Sequence, residues 1–521
     1  MALKSRIAGG FGLLLFLSRP LEHGEALSQV TRQVAGREDR FLASARDLIY
    51  ADSESPYRKL LEWSGCAYGD LIAAVRRRGI EGALSELHDA GVHVTLEEFK
   101  GLRPIIRKGL LIESGPEAFD STRSSGGIAA STSGSRSTGT QVMFGWDLIA
   151  EHAATEMLLE ELHGALDSPR ALWLPVPPGL SGIHAVLIHA KYRRRYERWF
   201  TQIPRFSVTS QSIDARTLRL GSMAIGAACA LYGCRIPRAE VVPADEALEV
   251  ARWMAEKVAA GHPPVVRAYA SGAIRVAEAA LEAGLSLEGS IIFCGGEPAT
   301  PARSAFVERA GIRLIPRYSA ADAGLIGAAC DMMQEADDMH IYTNRFAAII
   351  AGGTDQAHGP LLLSTLSPHT SKVLFNTSIG DTATLSSRAC ACTFGMTGMD
   401  LHLSNVRSSE KVTHEGMNVN VVELERLVTG IVERAGGSPS DFQFWSVEDS
   451  SGVSRLELAI DPRLDLSGDV EKELLHQLGA ELRGGGLTAE IWSQGTTLSI
   501  LRQPVQHSGR GKLHPVLKRR P

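Results

Sequence analysis

Apolar residues fall at helical spacing over the first part of the chain. "ALSQVTRQVAGREDRFLASARDLIY" carries that rhythm, and "SGCAYGDLIAAVRRRGIEGALSELHDAG" reads as two helices split at Gly79. From about residue 146 to 400 the period alternates instead: "GAIRVAEAALEAGLSLEG" predicts a helix, "SIIFCGGEP" a strand running into a glycine turn, "PARSAFVERAG" a helix and "IRLIPRY" a strand. That order predicts a layered α/β sheet, with ligands bound just beyond the carboxyl ends of its strands.

Past about residue 405 the pattern changes to a small α+β unit. Val421, Leu424, Leu427, Val428 and Ile431 make one helical stripe, and Val470, Leu474, Leu475, Leu478 and Leu482 make another. Between them, "DFQFWSVEDSSGVSRLELAI" predicts a hairpin in which Leu456, Leu458 and Ile460 alternate after the "DSSG" turn. Two strands, "LTAEIW" and "TTLSILR", close the unit.

A chain of 521 residues is too long for one ordinary core, so a large domain and at least one smaller one are expected. Its 44% apolar and 22% charged residues fit a globular protein, and a net charge of -5 gives no sign of nucleic-acid binding. Seven cysteines, an odd number, with no convincing export signal, argue against a disulfide framework and for a cytoplasmic setting. The stretch "GGFGLLLFL" has a signal-like apolar core, but no small-residue cleavage site follows. It is also far short of the roughly 20 residues that span a bilayer, so it reads as a buried N-terminal segment rather than a transmembrane one, a membrane-associated role being the alternative. In "KYRRRYERWF" (191–200) basic and aromatic residues interleave; a solvated helix face and a surface for a phosphorylated acceptor or acidic carrier are both open readings.

The stretch "SSGGIAASTSGSRSTGT" at 124–140 fits a flexible linker by composition and a phosphate-wrapping loop by chemistry. Other glycine-rich or polar turns follow it: "GGEP" (295–298), "YSAADAG" (318–324), "NTSIGD" (376–381), "RSSEKVTHEGMNVNVVELE" (407–425) and "SGRGKLHPV" (508–516). In this order they resemble the adenylate-forming superfamily and, within it, the phenylacetate-coenzyme A ligase-like branch. "SPYRKLLEWSGCAYGDL" and "VTLEEFKGLRPIIRKG" look like that branch's helical leader, so the resemblance spans roughly residues 45–521. It implies an α/β fold with a helical N-terminal segment (1–120), an AMP-binding core (121–406) and a small mobile C-terminal α+β domain (407–521).

The resemblance implies an ATP- and Mg²⁺-dependent ligase. A carboxylate attacks the α-phosphate, pyrophosphate leaves, and a thiol, most simply coenzyme A, then displaces AMP. A carrier protein, a protein thiol or an amine is the alternative acceptor; a nucleotide-binding scaffold without catalysis is the reading of another class. A homodimer is among the expected assemblies. Thr132, Ser133, Gly134, Ser135, Thr138 and Gly139 would wrap the phosphates, although Ser137 and Gly139 stand where the family has Gly and Pro. Gly295, Gly296, Glu297 and Pro298 would lie against adenine. Tyr318 and Ser319 would border the nucleotide, with Asp322 on Mg²⁺ where Glu is usual and Ala321 in place of a Thr. Asp381 would accept from the ribose hydroxyls. Arg407 opens the hinge segment, Gly416 would line the thiol tunnel, and Lys512 would bridge carboxylate and α-phosphate during adenylation. Cys330, His340, Cys390 and Cys392 fall where some members bind a structural Zn²⁺; without the resemblance, small buried free thiols are the better reading of the cysteines. The acid itself is not readable, its pocket being built from segments between about 170 and 320.

Overall fold

The computed structural model describes residues 11–121, 126–131, 141–177, 179–202, 215–352, 357–408, 411–414, 417–434, 438, 441–448, 454–464, 468–482, 498–505 and 516–519. Its centre is a twelve-stranded sheet. In spatial order the strands are Phe346–Ile350, His358–Thr365, Thr377–Ser387, Leu401–Ser408, Met339–Ile341, Gly324–Ala328, Ile312–Ala320, Ser290–Gly295, Val265–Tyr269, Arg170–Trp173, Arg198–Thr201 and Ala239–Val241. The last six run parallel, and the first six join them through antiparallel pairs. Strands such as Ser290–Gly295 and Gly324–Ala328 are buried nearly along their whole length, which is why they read as unbroken apolar runs.

Helices cover both faces. Trp146–Leu162 and Leu180–Lys191 pack into the main core, while Leu248–Ala259 and Ala270–Glu282 belong to a second apolar cluster on the parallel half. The N-terminal helices complete the main core through residues such as Val30, Phe41, Leu60 and Leu84. The span Tyr68–Asp89 is bent at Gly79, whose φ of 70° breaks the helical path. The N-terminal apolar stretch departs from its expected full burial: residues 11–18 are helical and bury Leu13, Phe16 and Leu17, while Phe11 is 70% exposed. The basic run also differs from the helix expected there. Residues 192–197 form a turn and Arg198–Thr201 a strand, and Tyr192, Tyr196 and Trp199 all point inward.

Beyond the large sheet, Phe442–Glu448 and Ser454–Ile460 pair antiparallel, and each takes a parallel outer partner, Val516–Arg519 and Leu498–Arg502. The helices Val421–Arg434 and Gly468–Leu482 pack on this four-stranded sheet, burying Leu424, Val428, Leu474 and Leu478 on the stripes the pattern marked. Among the described residues no helix is long and apolar enough to cross a membrane.

Candidate active site

Three of the turns singled out by sequence, at 295–298, 318–324 and 376–381, gather where parallel strands meet antiparallel ones. Strand Ile312–Ala320 is parallel to Ser290–Gly295 on one side and antiparallel to Gly324–Ala328 on the other. Its register shifts between Tyr318 and Ser319, a bulge that ends regular pairing just before the Ala321–Ala323 turn. Gly295 and Gly296 lie beside this end, with Gly295 close to the Arg317 carbonyl and Gly296 at a φ of 78°.

Tyr318 and Asp381, from distant parts of the chain, meet here: the phenol donates to Asp381 Oδ2 at 2.6 Å. Burial first, and the neighbouring carboxylate second, push the Tyr318 phenol well above its usual range, so it stays a donor. Asp381 is set by a constructed turn. Asn376 adopts a left-handed conformation and its amide donates to the carbonyls of Leu84 at 2.7 Å and Val92 at 3.1 Å. Gly380 follows at a φ of 93°, where an added Cβ would meet the Leu96 side chain at 2.7 Å. Asp381 then pairs with Ser408 in the ladder, next to Thr382 opposite Arg407, so Arg407 stands beside the same site. The Arg407 guanidinium is tied to Asp337 at 2.8 Å.

Asp322 is buried in the turn beyond Tyr318. Its Oδ2 receives the Lys100 ammonium at 2.6 Å and its carbonyl accepts from the Ser371 hydroxyl at 3.1 Å. Among the described residues, Oδ1 has no hydrogen-bond partner. A hard, buried carboxylate oxygen left open in this way suits Mg²⁺. Lys100 was not foreseen by sequence. It follows the short helix Leu96–Phe99, whose Thr95–Glu98 capping box fixes its start and whose backbone joins the site through a bridge between Val94 and Thr377. No local pattern marks a lysine whose partner is 222 residues away.

Glu297 has a different environment from the rest of its turn. One carboxylate oxygen accepts from Ser271 N at 2.8 Å, at the start of the helix Ala270–Glu282, and the other from the Ser271 hydroxyl at 3.0 Å. Arg303 completes a buried pair with it at 3.0 Å. The carboxylate thus braces the turn, leaving Gly295, Gly296 and Pro298 to shape its surface. Ser319 is exposed.

Cys330, His340, Cys390 and Cys392 converge, their ligand atoms all lying within 4.8 Å of one another. Cys392 Sγ is 3.2 Å from His340 Nε2, and Cys330 Sγ is 3.9 Å from Cys390 Sγ. His340 Nδ1 lies 2.8 Å from the Met399 carbonyl, to which it can donate, leaving Nε2 free to ligate. Backbone N–H groups of Met332 and Gly395 donate to the sulfurs of Cys330 and Cys392. Gly395 is required by packing, since a Cβ there would fall 1.9 Å from the Cys390 carbonyl. Two thiols paired with backbone donors, and an imidazole fixed in one tautomer, form a donor set suited to tetrahedral zinc. The Cys330 thiol and His340 hold Cys392 below the ordinary thiol range, while its hydrogen bond to Cys392, then burial, push Cys330 up.

Thr132, Ser133, Gly134, Ser135, Thr138, Gly139, Gly416 and Lys512 lie outside the described residues.

No protein-family model matches the chain, and no curated protein matches it. Among solved structures, it is similar to a 2-hydroxyisobutyryl-CoA ligase in complex with 2-HIB-AMP and CoA in the thioesterification state, with a TM-score of 0.54 at 13% identity over 93% of this chain and 90% of that one. An o-succinylbenzoate CoA synthetase from Bacillus subtilis gives a TM-score of 0.43 at 13% identity, over 78% of this chain and 72% of that one. An adenylation domain from Vibrio cholerae in complex with glycyl-adenosine-5'-phosphate gives 0.42 at 13% identity, over 74% and 64%. The first likeness, which spans nearly the whole chain, shows that the chain has the fold of that 2-hydroxyisobutyryl-CoA ligase.

Proposed function

We propose that the chain is an ATP-dependent ligase that converts a carboxylic acid into an acyl-adenylate and passes the acyl group to a thiol, coenzyme A being the leading acceptor. The observation that carries this reading is the meeting of Tyr318, Asp322 and Asp381 around one strand end, with Asp322 Oδ1 open beside them. In the first step an acid oxygen attacks the α-phosphorus and pyrophosphate departs; in the second, the thiol sulfur attacks the acyl carbon and AMP departs with the bonding pair. Both steps bring negative groups together, so positioning and charge balance are the main tasks of the protein.

In this reading Asp381 accepts from the ribose hydroxyls while Tyr318 holds its other oxygen. Asp322 Oδ1 would hold Mg²⁺, which neutralises phosphate charge when bound. Lys100 orients Asp322 through Oδ2 and adds a fixed positive charge next to the phosphates. Lys512 has the adenylation role, the loop at 132–140 wraps the phosphates, and Gly416 lines the path of the thiol as a small C-terminal domain swings near residue 409. The Cys330–His340–Cys390–Cys392 group holds a structural zinc. Metal content of the purified protein tests that part: about one zinc per chain is expected, and a folded protein with none overturns it.

Pyrophosphate release across a panel of acids, followed by mass analysis of the product, tests the central reading. An acid-dependent release that falls roughly 100-fold or more in Asp322→Asn supports it. Nucleotide binding without turnover by any acid refutes it. Lys512→Ala should abolish adenylation and spare thiolation of a supplied acyl-adenylate; equal loss of both contradicts its role.

A further inference from the structure

The buried polar network next to the Tyr318–Asp322 turn is unbalanced. Glu156, from the helix Trp146–Leu162, is fully buried and receives Arg267 on one carboxylate oxygen and Arg317 on the other. Arg317 is the residue before Tyr318. Arg345, 2% exposed, lies over the rings of Tyr342 and Phe346 and donates through Nη2 to the Leu325 carbonyl at 2.7 Å. Leu325 is on the strand that leaves Asp322. His152 Nδ1 is 2.8 Å from His184 Nε2, and the His152 ring packs so near Gly324 that a Cβ there would come within 2.7 Å of it.

Donors outnumber acceptors throughout this group. Among the described residues, Nε of Arg267 and Arg317, Nε and Nη1 of Arg345, the Tyr342 hydroxyl and His152 Nε2 are buried without hydrogen-bond partners. Two guanidinium groups share the carboxylate of Glu156, and the third, Arg345, donates to a backbone carbonyl. The next carboxylate, Glu151, is the counter-charge that acts on Arg345 and is also engaged by Arg40 at 3.3 Å and Ser367 at 2.7 Å, so Arg40, Arg267, Arg317 and Arg345 share two carboxylates between them. The two imidazoles add no charge, because burial and then the neighbouring arginines keep them neutral. Buried cations without counter-ions are costly, and buried N–H groups without acceptors are rare unless something outside the chain completes them.

We propose that this cluster is an anion site for the far end of the acid substrate, and that the preferred substrate class is a dicarboxylic acid. One carboxylate would be activated beside Asp322, and the other held by Arg345 with Arg317, Tyr342 and His152 around it. The proposal rests on the ligase reading above and specifies its substrate.

Two measurements separate the two claims. The first needs no turnover: thermal unfolding of the full chain, without ATP, in succinate, glutarate or adipate, each compared with the monocarboxylate of equal carbon number and with sulfate at equal ionic strength. Diacids should raise the midpoint by a few degrees where monoacids and sulfate do not. Arg345→Met should remove that shift, and Arg345→Lys should restore part of it. The second is pyrophosphate release, where the better diacid should exceed its monoacid in kcat/KM by roughly tenfold or more, with Arg345→Met erasing the difference mainly through KM. Equal shifts from monoacids or sulfate, or a diacid preference that survives Arg345→Met, overturn the anion site. The wild-type comparison stands even if a variant fails to fold. A diacid shift lost in Arg345→Met, with no turnover of any acid, keeps the anion site and refutes the ligase reading. Turnover confined to monoacids does the reverse.

Discussion

The helix Trp146–Leu162 drives two carboxylates into the core one turn apart, and they meet opposite circumstances. Glu160 receives Arg170 at 2.7 Å, His189 at 2.6 Å and the Tyr192 hydroxyl at 3.2 Å. The remaining groups are used as well: Arg170 donates to the carbonyls of Ala165 and Leu166, and His189 Nδ1 faces the Ala185 carbonyl. Glu156 instead supports two arginines while a third stands by with open N–H groups. The same local sequence device, an acidic residue on a buried helix face, thus builds a closed network in one case and an open one in the other. A saturated network fixes two helices and a strand and has nothing left to offer a ligand. An unsaturated one is unstable by itself and is a reason to look for a partner from outside.

The strongest way to break this contrast is to remove the closed network's anion. Glu160→Ala should cost about 3–5 kcal/mol in chemical denaturation, because it leaves Arg170 charged and buried without a partner. Acid should expose both networks in turn. Burial, with Arg317 and Arg345, lowers His184 to about 3, so between the unfolded value near 6.5 and that point the unfolded chain binds a proton that the folded protein refuses. Stability should therefore fall as pH drops through this window, by up to about 1.4 kcal/mol per unit for each such histidine. Burial alone would raise Glu160, but Arg170 and His189 outweigh it and hold it at about 2, so a second loss should occur from its unfolded value of 4.5 down to that point. His184→Gln should make the upper window shallower, with His152 still contributing to it, and leave the lower one in place, as read from melting temperature against pH. Arg345→Met should do the opposite of Glu160→Ala: without ligand, stability should hold steady or rise by about 1 kcal/mol, since an unmatched cation is replaced by an apolar chain. Tyr192→Phe is the mildest test. It removes one of three donors to Glu160 and should cost about 1 kcal/mol in the same denaturation experiment.

What the sequence discloses and what it hides follow from range. The strands "SIIFC" and "IRLIPRY" and the helix between them are legible because burial on both faces of a parallel sheet writes itself into consecutive residues. The helical stripes of Val421–Arg434 and Gly468–Leu482 are legible for the same local reason. Tyr318, Asp322 and Asp381, and likewise Cys330, His340, Cys390 and Cys392, could be named through the family resemblance; Tyr318 does meet Asp381, and the four Cys and His residues do converge. Lys100 could not, since its role exists only through a partner far along the chain. The roles of Arg267 and Arg317 emerge only from the fold, because nothing in "VVRAY" or "IPRYS" tells an inward guanidinium from a solvated one. In the basic run at 191–200 the charges do lie near the surface, Arg194 and Arg198 pairing with Asp167 and Glu240, but the segment is a turn and a strand rather than a helix, and Tyr192, Tyr196 and Trp199 are buried.

The ion pair between Lys100 and Asp322 also sets an order of events for a chain that leaves the ribosome from its first residue. The lysine is synthesised early and has no counterpart until more than two hundred further residues have emerged, and the Tyr318 hydroxyl then waits again for Asp381. Any nascent fragment shorter than that can form helices and strands but cannot assemble the pocket. The Lys100–Asp322 and Tyr318–Asp381 pairs can therefore be completed only late in translation.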